Sequence, residues 1–439
     1  MIDLKKSGLF DTEKFQQGIT AGLKAIYPIE SDNRILSIDS VDFDKSDLDP
    51  NDWADIKDAF INKKSIETPV KAKFTLSDKD TGKKISTHKI NIGSVPVMSR
   101  LGTYVIDGNQ YTMPLQLRLK AGAYARISEK GETEVFNNVE NGRPIRTQID
   151  PEKQLLKLKI GQGTIPIYPL LKTLDMDDDT IKKSLGDSIF QSNKDVPYDS
   201  SVRKTYKAIF KETMGDIEEG KARIKEHFGQ LRTNPKVNKE HLGESFDTVS
   251  PEYLLATAKK VIDITNGSAK PDNRDALRYK EAYGIEDFMQ DRLENYAGSY
   301  ASKTKALKNM DKETSIGKLV DKKGLQKQLK EVFTASQLSR YASQSSPISI
   351  LNSPFLTTLL GEGGIGSQVA VPGDAKLLQN SHMGFLDSSH TPESKSAGIT
   401  LTLAMDTIKA GKELKTRVIN IKTGRNEWKT SDELSREAL

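Results

Sequence analysis

Apolar positions recur at helical spacing between Asp11 and Ile26, where Phe15, Ile19, Leu23 and Ile26 share one side. Asp11 stands where an N-cap belongs and Glu13 follows in the first turn, so the spacing predicts a helix beginning there. The texture then changes to alternation, and RILSIDSVDFD, ending at Asp44, predicts a strand. Two more strands are expected over Thr68–Leu76 and Ile85–Ile92, separated by the turn signal SDKDTGKK. Tyr104-Val105-Ile106 runs into Asp107-Gly108, a dipeptide that predicts a tight hairpin between apolar runs. Helical patterning returns over Ser200–Thr213, Met214–Phe228 and Pro251–Thr265, and residues 278–300 also read as helical. A last strand pair, Lys415–Ile421 and Glu427–Lys429, is expected to turn at Thr423-Gly424-Arg425. No internal repeat is visible.

One stretch breaks this pattern. Charged residues make up 29% of the chain, yet residues 336–375 carry only Arg340, Glu362 and Asp374. Ser, Gln, Asn and Gly replace them, with short apolar runs between. This composition is too apolar for a solvated linker and too rich in hydroxyls and amides for a plain core. It suits a surface that meets a partner through hydrogen bonds and backbone groups. The order SQLSRYASQSSPIS, then GEGGIGS, then SHMGFLDSSHTPES resembles the fork region of the β subunit of multisubunit RNA polymerases. An earlier set, Gly93, Pro96, Met98, Gly102, Thr103, Tyr104, Gly108, Gln116 and Leu117, resembles a second segment of that family. Residues 10–80 follow the family loosely, and residues 130–300 carry no motif.

The resemblance implies an α+β multidomain fold: the family's protrusion with an inserted, mainly helical lobe, followed by the fork region. On that reading residues 1–128 begin the protrusion, 129–305 form the lobe-like insertion, 306–335 return to the protrusion, and 336–439 hold the fork and C-terminal strands. Segments that follow the fork in cellular β subunits are not found here. The resemblance is therefore to the N-terminal half of a split β subunit, as in giant bacteriophages.

Bulk properties narrow the alternatives. With 439 residues the chain is long enough for two or three domains. No apolar run approaches the roughly 18 residues of a membrane span, and MIDLKKSGLF offers no apolar signal core. Zero Cys excludes disulfides and Cys-based zinc sites. The net charge of +5 has a local source, because residues 300–331 hold nine Lys against Asp311, Glu313, Asp321 and Glu331. Such a patch attracts phosphate backbones without reading sequence, although a solvated Lys-rich helix face gives the same composition.

The candidate chemistry is sparse. Asp175, Asp177, Asp178 and Asp179 invite a metal reading, but no Gly bends the run around an ion and an amphipathic stretch follows at once. An acidic helix start explains the cluster more simply. The glycines Gly361, Gly363, Gly364 and Gly366 lack a Rossmann context, and no Walker Gly-Lys-Ser/Thr occurs. They suit a loop that bends sharply and lets backbone approach nucleic acid. His382 and His390 read as hydrogen-bonding structural residues.

The family resemblance implies that Gln337, Ser339, Arg340, Ser343, Ser345 and Asn352 line the RNA–DNA hybrid, in the region of the rifamycin pocket. It implies that Gly361, Gly363 and Gly364 form the fork loop and that Glu393 and Lys395 lie near the incoming nucleotide. Several positions depart from the family: Ser367, Gln368 and Val369 stand where relatives place arginines, and Ser353, Pro354, Phe355 and Leu356 replace a His-Lys-Arg-Arg run. No catalytic or metal-ligating residue is expected on this chain. The family's catalytic aspartates lie on β′, in an Asn-Ala-Asp-Phe-Asp-Gly-Asp motif absent here, so magnesium is expected on a β′-like partner.

The expected function is a subunit of a DNA-directed RNA polymerase, a nucleotidyltransferase, inactive alone. It would form one side of the DNA cleft and line the hybrid. The implied partners are a C-terminal β-like subunit, β′-like subunits, a promoter-specificity factor, template DNA and RNA. The bacterial host cytoplasm or the virion is the implied location. Two other classes compete: a nucleic-acid-binding structural or packaging protein using the Lys-rich region, and an unrelated enzyme using the Asp175–Asp179 cluster.

Overall fold

The computed structural model describes residues 7–128, 131–297, 306–307, 310–311, 315–342, 346–390, 392 and 394–437. The chain divides into two compact units, one of Met1–Arg118 with Lys280–Leu439 and one of Leu119–Tyr279.

The first unit opens with α1 (Thr12–Ile26), whose N-cap Asp11 accepts hydrogen bonds from the backbone N–H groups of Glu13 and Lys14 at 3.0 and 3.3 Å. The apolar stripe of α1 is buried, as its spacing predicts. β1 (Ile29–Glu30), β2 (Arg34–Phe43), β3 (Glu67–Asp78) and β4 (Lys84–Pro96) form an antiparallel sheet in sequence order. A short helix, α2 (Trp53–Ile61), lies in the β2–β3 connection. β5 (Thr103–Ile106) and β6 (Asn109–Thr112) make the expected hairpin. Its turn residues Asp107 and Gly108 have φ of 49° and 73°, the positive values that a right-twisting two-residue turn demands. β7 (Leu115–Leu119) follows.

The second unit carries a sheet as well as the expected helices. β8 (Gly122–Ile127), β9 (Thr133–Asn138), β10 (Ile145–Asp150), β11 (Leu155–Ile160) and β12 (Gly163–Pro166) form an antiparallel meander. Behind them come α3 (Ile167–Thr173), α4 (Asp178–Leu185), α5 (Asp187–Lys194), α6 (Tyr198–Phe210), α7 (Ile217–Gln230), α8 (Pro235–Leu242) and α9 (Pro251–Thr265). Val135, Ile145, Leu156, Leu158 and Ile160 share a core with Leu254, Ala258 and Val261 of α9. A polar ladder crosses that core: Asn137 Nδ2 donates to Thr147 Oγ1 at 3.1 Å, and Tyr253 OH donates to Asn137 Oδ1 at 3.0 Å. The aspartate cluster starts α4. Asp177 accepts the Thr180 N–H at 2.7 Å, while Asp178 and Asp175 pair with Lys172 and Lys225 at 3.0 and 2.6 Å. Among the described residues no group of three or more His, Asp or Glu could hold a metal ion.

The chain then rejoins the first unit through β13 (Lys280–Tyr283) and α10 (Ile285–Ala297), so only the later part of residues 278–300 is helical. α10 lies close against α1. A Cβ at Gly18 would sit 2.8 Å from the Glu286 carbonyl oxygen, and one at Gly22 only 2.5 Å from Leu293 Cβ. The helix Lys322–Thr334 buries Leu325, Leu329, Val332 and Phe333 in the same core as Phe15, Tyr104 and Leu293. β14 (Arg340–Tyr341) extends the β5–β6 hairpin. β15 (Leu356–Thr358), β16 (Leu386–Asp387) and β17 (Thr400–Leu403) join β13 and β7 in a sheet ordered β13-β7-β15-β17-β16. β18 (Thr407–Ala410), β19 (Glu413–Ile419) and β20 (Asn426–Thr430) close the unit as a meander, with Gly424 at φ 67° in the last turn. No helix among the described residues is long and apolar enough to cross a membrane.

Candidate nucleic-acid interface

The two segments that carry the resemblance meet in one sheet. β15 pairs in parallel with β7, Thr358 opposite Gln116, and antiparallel with β17, Thr357 opposite Leu401. The glycine loop leaves β15 directly. Its backbone folds back on itself, with Gly364 N–H donating to the Gly361 carbonyl at 3.0 Å and Ile365 N–H to the Leu359 carbonyl at 3.2 Å.

β7 holds this loop through two polar side chains. Gln116 is fully buried, and its Nε2 donates to the Leu360 carbonyl at 2.9 Å while its Oε1 accepts from Arg118 Nε at 2.6 Å. Arg118 Nη2 donates to the Glu362 carbonyl at 2.9 Å and Nη1 pairs with Asp291 at 2.6 Å. The guanidinium lies 3.8 Å from the Tyr283 ring centre, a cation–π contact that fixes its plane. These neighbours explain the glycines better than free bending does. A Cβ at Gly363 would stand 2.6 Å from Arg118 Cζ, and one at Gly364 equally close to Gln116 Nε2. Gly361 also needs its φ of 120° and would meet Leu338 Cδ2 at 2.9 Å. Arg292 adds an ion pair to Glu331 at 2.8 Å and a longer one to Glu362 at 3.7 Å.

The remaining positions fall around this sheet. Gln337 is exposed, and Leu338 is buried against Gly361. Ser339 Oγ donates to the Phe333 carbonyl, and Arg340 Nη2 donates to Thr400 Oγ1 of β17 at 3.2 Å. Burial pulls the Arg340 guanidinium below its ordinary pKa. Asn352 is half-buried at the end of the helix Pro347–Asn352, and Lys395 is exposed in a single turn before β17. Gly363 and Gly364 are exposed, whereas Gly361 is buried. Ser343, Ser345 and Glu393 lie outside the described residues. His382 is buried and accepts the Gln379 N–H at Nδ1 over 3.3 Å. His390 is exposed.

Ser353 turns inward and donates to the Ile350 carbonyl at 2.7 Å. Leu351, Pro354 and Phe355 line an apolar cavity of about 680 Å³ together with Trp53, Leu101 and Val105. Arg118, Asp291 and Arg292 were not singled out in the sequence. The signal available was an arginine inside the apolar strand LQLRL, which demands a partner when half-buried.

No protein-family model matches the chain. It is 23% identical over 426 residues to the DNA-directed RNA polymerase subunit beta of Thermus thermophilus, covering 88% of this chain and 37% of that protein. The corresponding protein of Gracilaria tenuistipitata is 22% identical over 394 residues, covering 80% and 34%. That of Dehalococcoides mccartyi is 23% identical over 386 residues, covering 77% and 29%. The chain is thus similar to these β subunits, at 22–23% identity. It spans about a third of the length of these relatives, and the similarity runs through most of its own.

Proposed function

We propose that this chain is a β-like subunit of a DNA-directed RNA polymerase, forming one side of the DNA cleft and lining the RNA–DNA hybrid. The observation that carries this reading is the glycine loop held by Gln116 and Arg118, which joins the two resembling segments in one sheet. Gln337, Ser339, Arg340, Ser343, Ser345 and Asn352, with Gly361, Gly363 and Gly364, are the positions proposed to face the hybrid and the fork. Glu393 and Lys395 are proposed to lie near the incoming nucleotide. Short polar side chains and backbone groups suit contacts to a nucleic-acid backbone that must pass through in any sequence.

Phosphoryl transfer is assigned to a partner. We propose a β′-like polypeptide that carries the catalytic carboxylates and their magnesium, and a polypeptide resembling the C-terminal portion of β. A promoter-specificity factor completes the assembly on template DNA. Purified alone with nucleotides and primed template, the chain is expected to give no RNA. Added to its partners it should restore template-directed synthesis. Robust synthesis by the chain alone would overturn the assignment.

A further inference from the structure

The open face of the second unit's sheet carries cations that the fold does not use. On β9, β10 and β11 the side chains alternate between the core and the opposite face. Asn137, Ile145 and Ile160 point to the core, while Phe136, Arg146 and Lys159 line up across the strands on the other side. Arg146 stands directly opposite Lys159 in the β10–β11 pair. Like charges placed directly opposite each other are destabilising in an antiparallel pair. Yet neither has a carboxylate partner among the described residues; Arg146 has only the Phe136 ring, 5.8 Å from its guanidinium carbon.

The adjacent row shows the usual solution. There Glu134 lies opposite Gln148 and Arg126, bonds Gln148 Nε2 at 2.8 Å and pairs with Arg126. Lys157 in the same row pairs with Asp150 at 2.9 Å. Arg143, just before β10, is also exposed, so the uncompensated charge extends to that end of the strand. Toward β8 the face is covered, because Tyr124 packs under His241 and Tyr279 with ring centres 5.1 and 5.8 Å away. Away from β8 the face is open, with Arg146 and Thr164 exposed and Lys159 half-buried between them.

The geometry points to a phosphate-binding surface on this sheet, with Arg146 and Lys159 as its two central contacts and a nucleic-acid strand as its ligand. A phosphate between two opposed cations removes their mutual repulsion, and the gain rises because condensed counterions are released. The choice of nucleic acid over other polyanions rests on the polymerase reading above; the existence of the cationic face does not.

The test uses the full chain and fluorescent oligonucleotides, single-stranded and duplex, titrated over a salt series. R146A/K159A should weaken binding several-fold. It should also flatten the log–log salt dependence by about 1.4 for a single strand, two contacts' worth. K83A/K84A, an exposed pair giving the same change in net charge on the other unit, serves as the control. Equal loss from both pairs means general electrostatics and overturns the site, as does an unchanged slope in R146A/K159A. The single variants R146Q and K159Q, each expected to give about half the slope change, keep the question answerable if the double variant does not fold. Loss of binding only with R146A/K159A supports the surface even if no polymerase partners are recovered, in which case the polymerase reading alone fails. Recovery of those partners with an unchanged slope sinks the surface and leaves the subunit reading standing.

Discussion

Gln116 is the residue on which the candidate interface turns. It is fully buried and uses both ends of its amide, so shortening it strands the Leu360 carbonyl and an Arg118 N–H together. Leaving buried polar groups unpaired costs roughly 1–3 kcal/mol. Gln116→Ala should therefore lower stability by about that much in urea unfolding. Gly364→Ala places a Cβ against the same amide and should cost a similar ~1–3 kcal/mol by overpacking. Acid acts elsewhere. Backbone N–H groups at the starts of α4 and α7 hold the carboxyls of Asp177 and Asp216 below the ordinary aspartate range. A carboxyl whose folded pKa is depressed stabilises the fold above the unfolded value, and that contribution is lost as pH falls through the folded value. Helical circular dichroism should thus decline below about pH 4, and D177N/D216N should flatten the decline.

At the scale of elements, the pairing of α1 with α10 rests on Gly18 and Gly22, one turn apart on a single face. Replacing a helical Gly by Ala gains up to about 1 kcal/mol of helix propensity. A Cβ 2.5 Å from Leu293 Cβ meets an atom that no rotamer change can move. Packing should win, and Gly22→Ala is expected to lower the unfolding midpoint by the equivalent of ~1–3 kcal/mol. A rise would mean that the helices are free to separate. The elements legible in the sequence are those with a clean period: α1, β2 to β4, the Asp107-Gly108 hairpin, α9 and the β19–β20 turn. The β8–β12 meander escaped because polar residues occupy its inner face. Asn137 and Thr147 interrupt the alternation, and only their hydrogen bonds to each other and to α9 make those positions tolerable. The start of α10 was misjudged for a related reason: Lys280–Tyr283 pairs as a strand in a sheet whose other members lie far away in sequence. The clamp on the glycine loop was equally hidden, since Arg118 and Asp291 are separated by 173 residues.

For the whole molecule, the resemblance in two segments and the sheet that unites them support the proposal of a β-like polypeptide within an assembly. The proposed reading has a pharmacological consequence. On the proposed reading Ser353, Pro354, Phe355 and Leu356 stand in place of a basic run, and Pro354 and Phe355 line an apolar cavity. The assembled enzyme is expected to be insensitive to rifamycins in a transcription assay, and inhibition at low drug concentration would contradict that. The central claim is tested most directly by recovering the tagged chain from the cells that express it and identifying its partners by mass spectrometry. The account predicts stoichiometric recovery of a polypeptide bearing Asn-Ala-Asp-Phe-Asp-Gly-Asp. Recovery of the chain alone, or with structural proteins only, would contradict it.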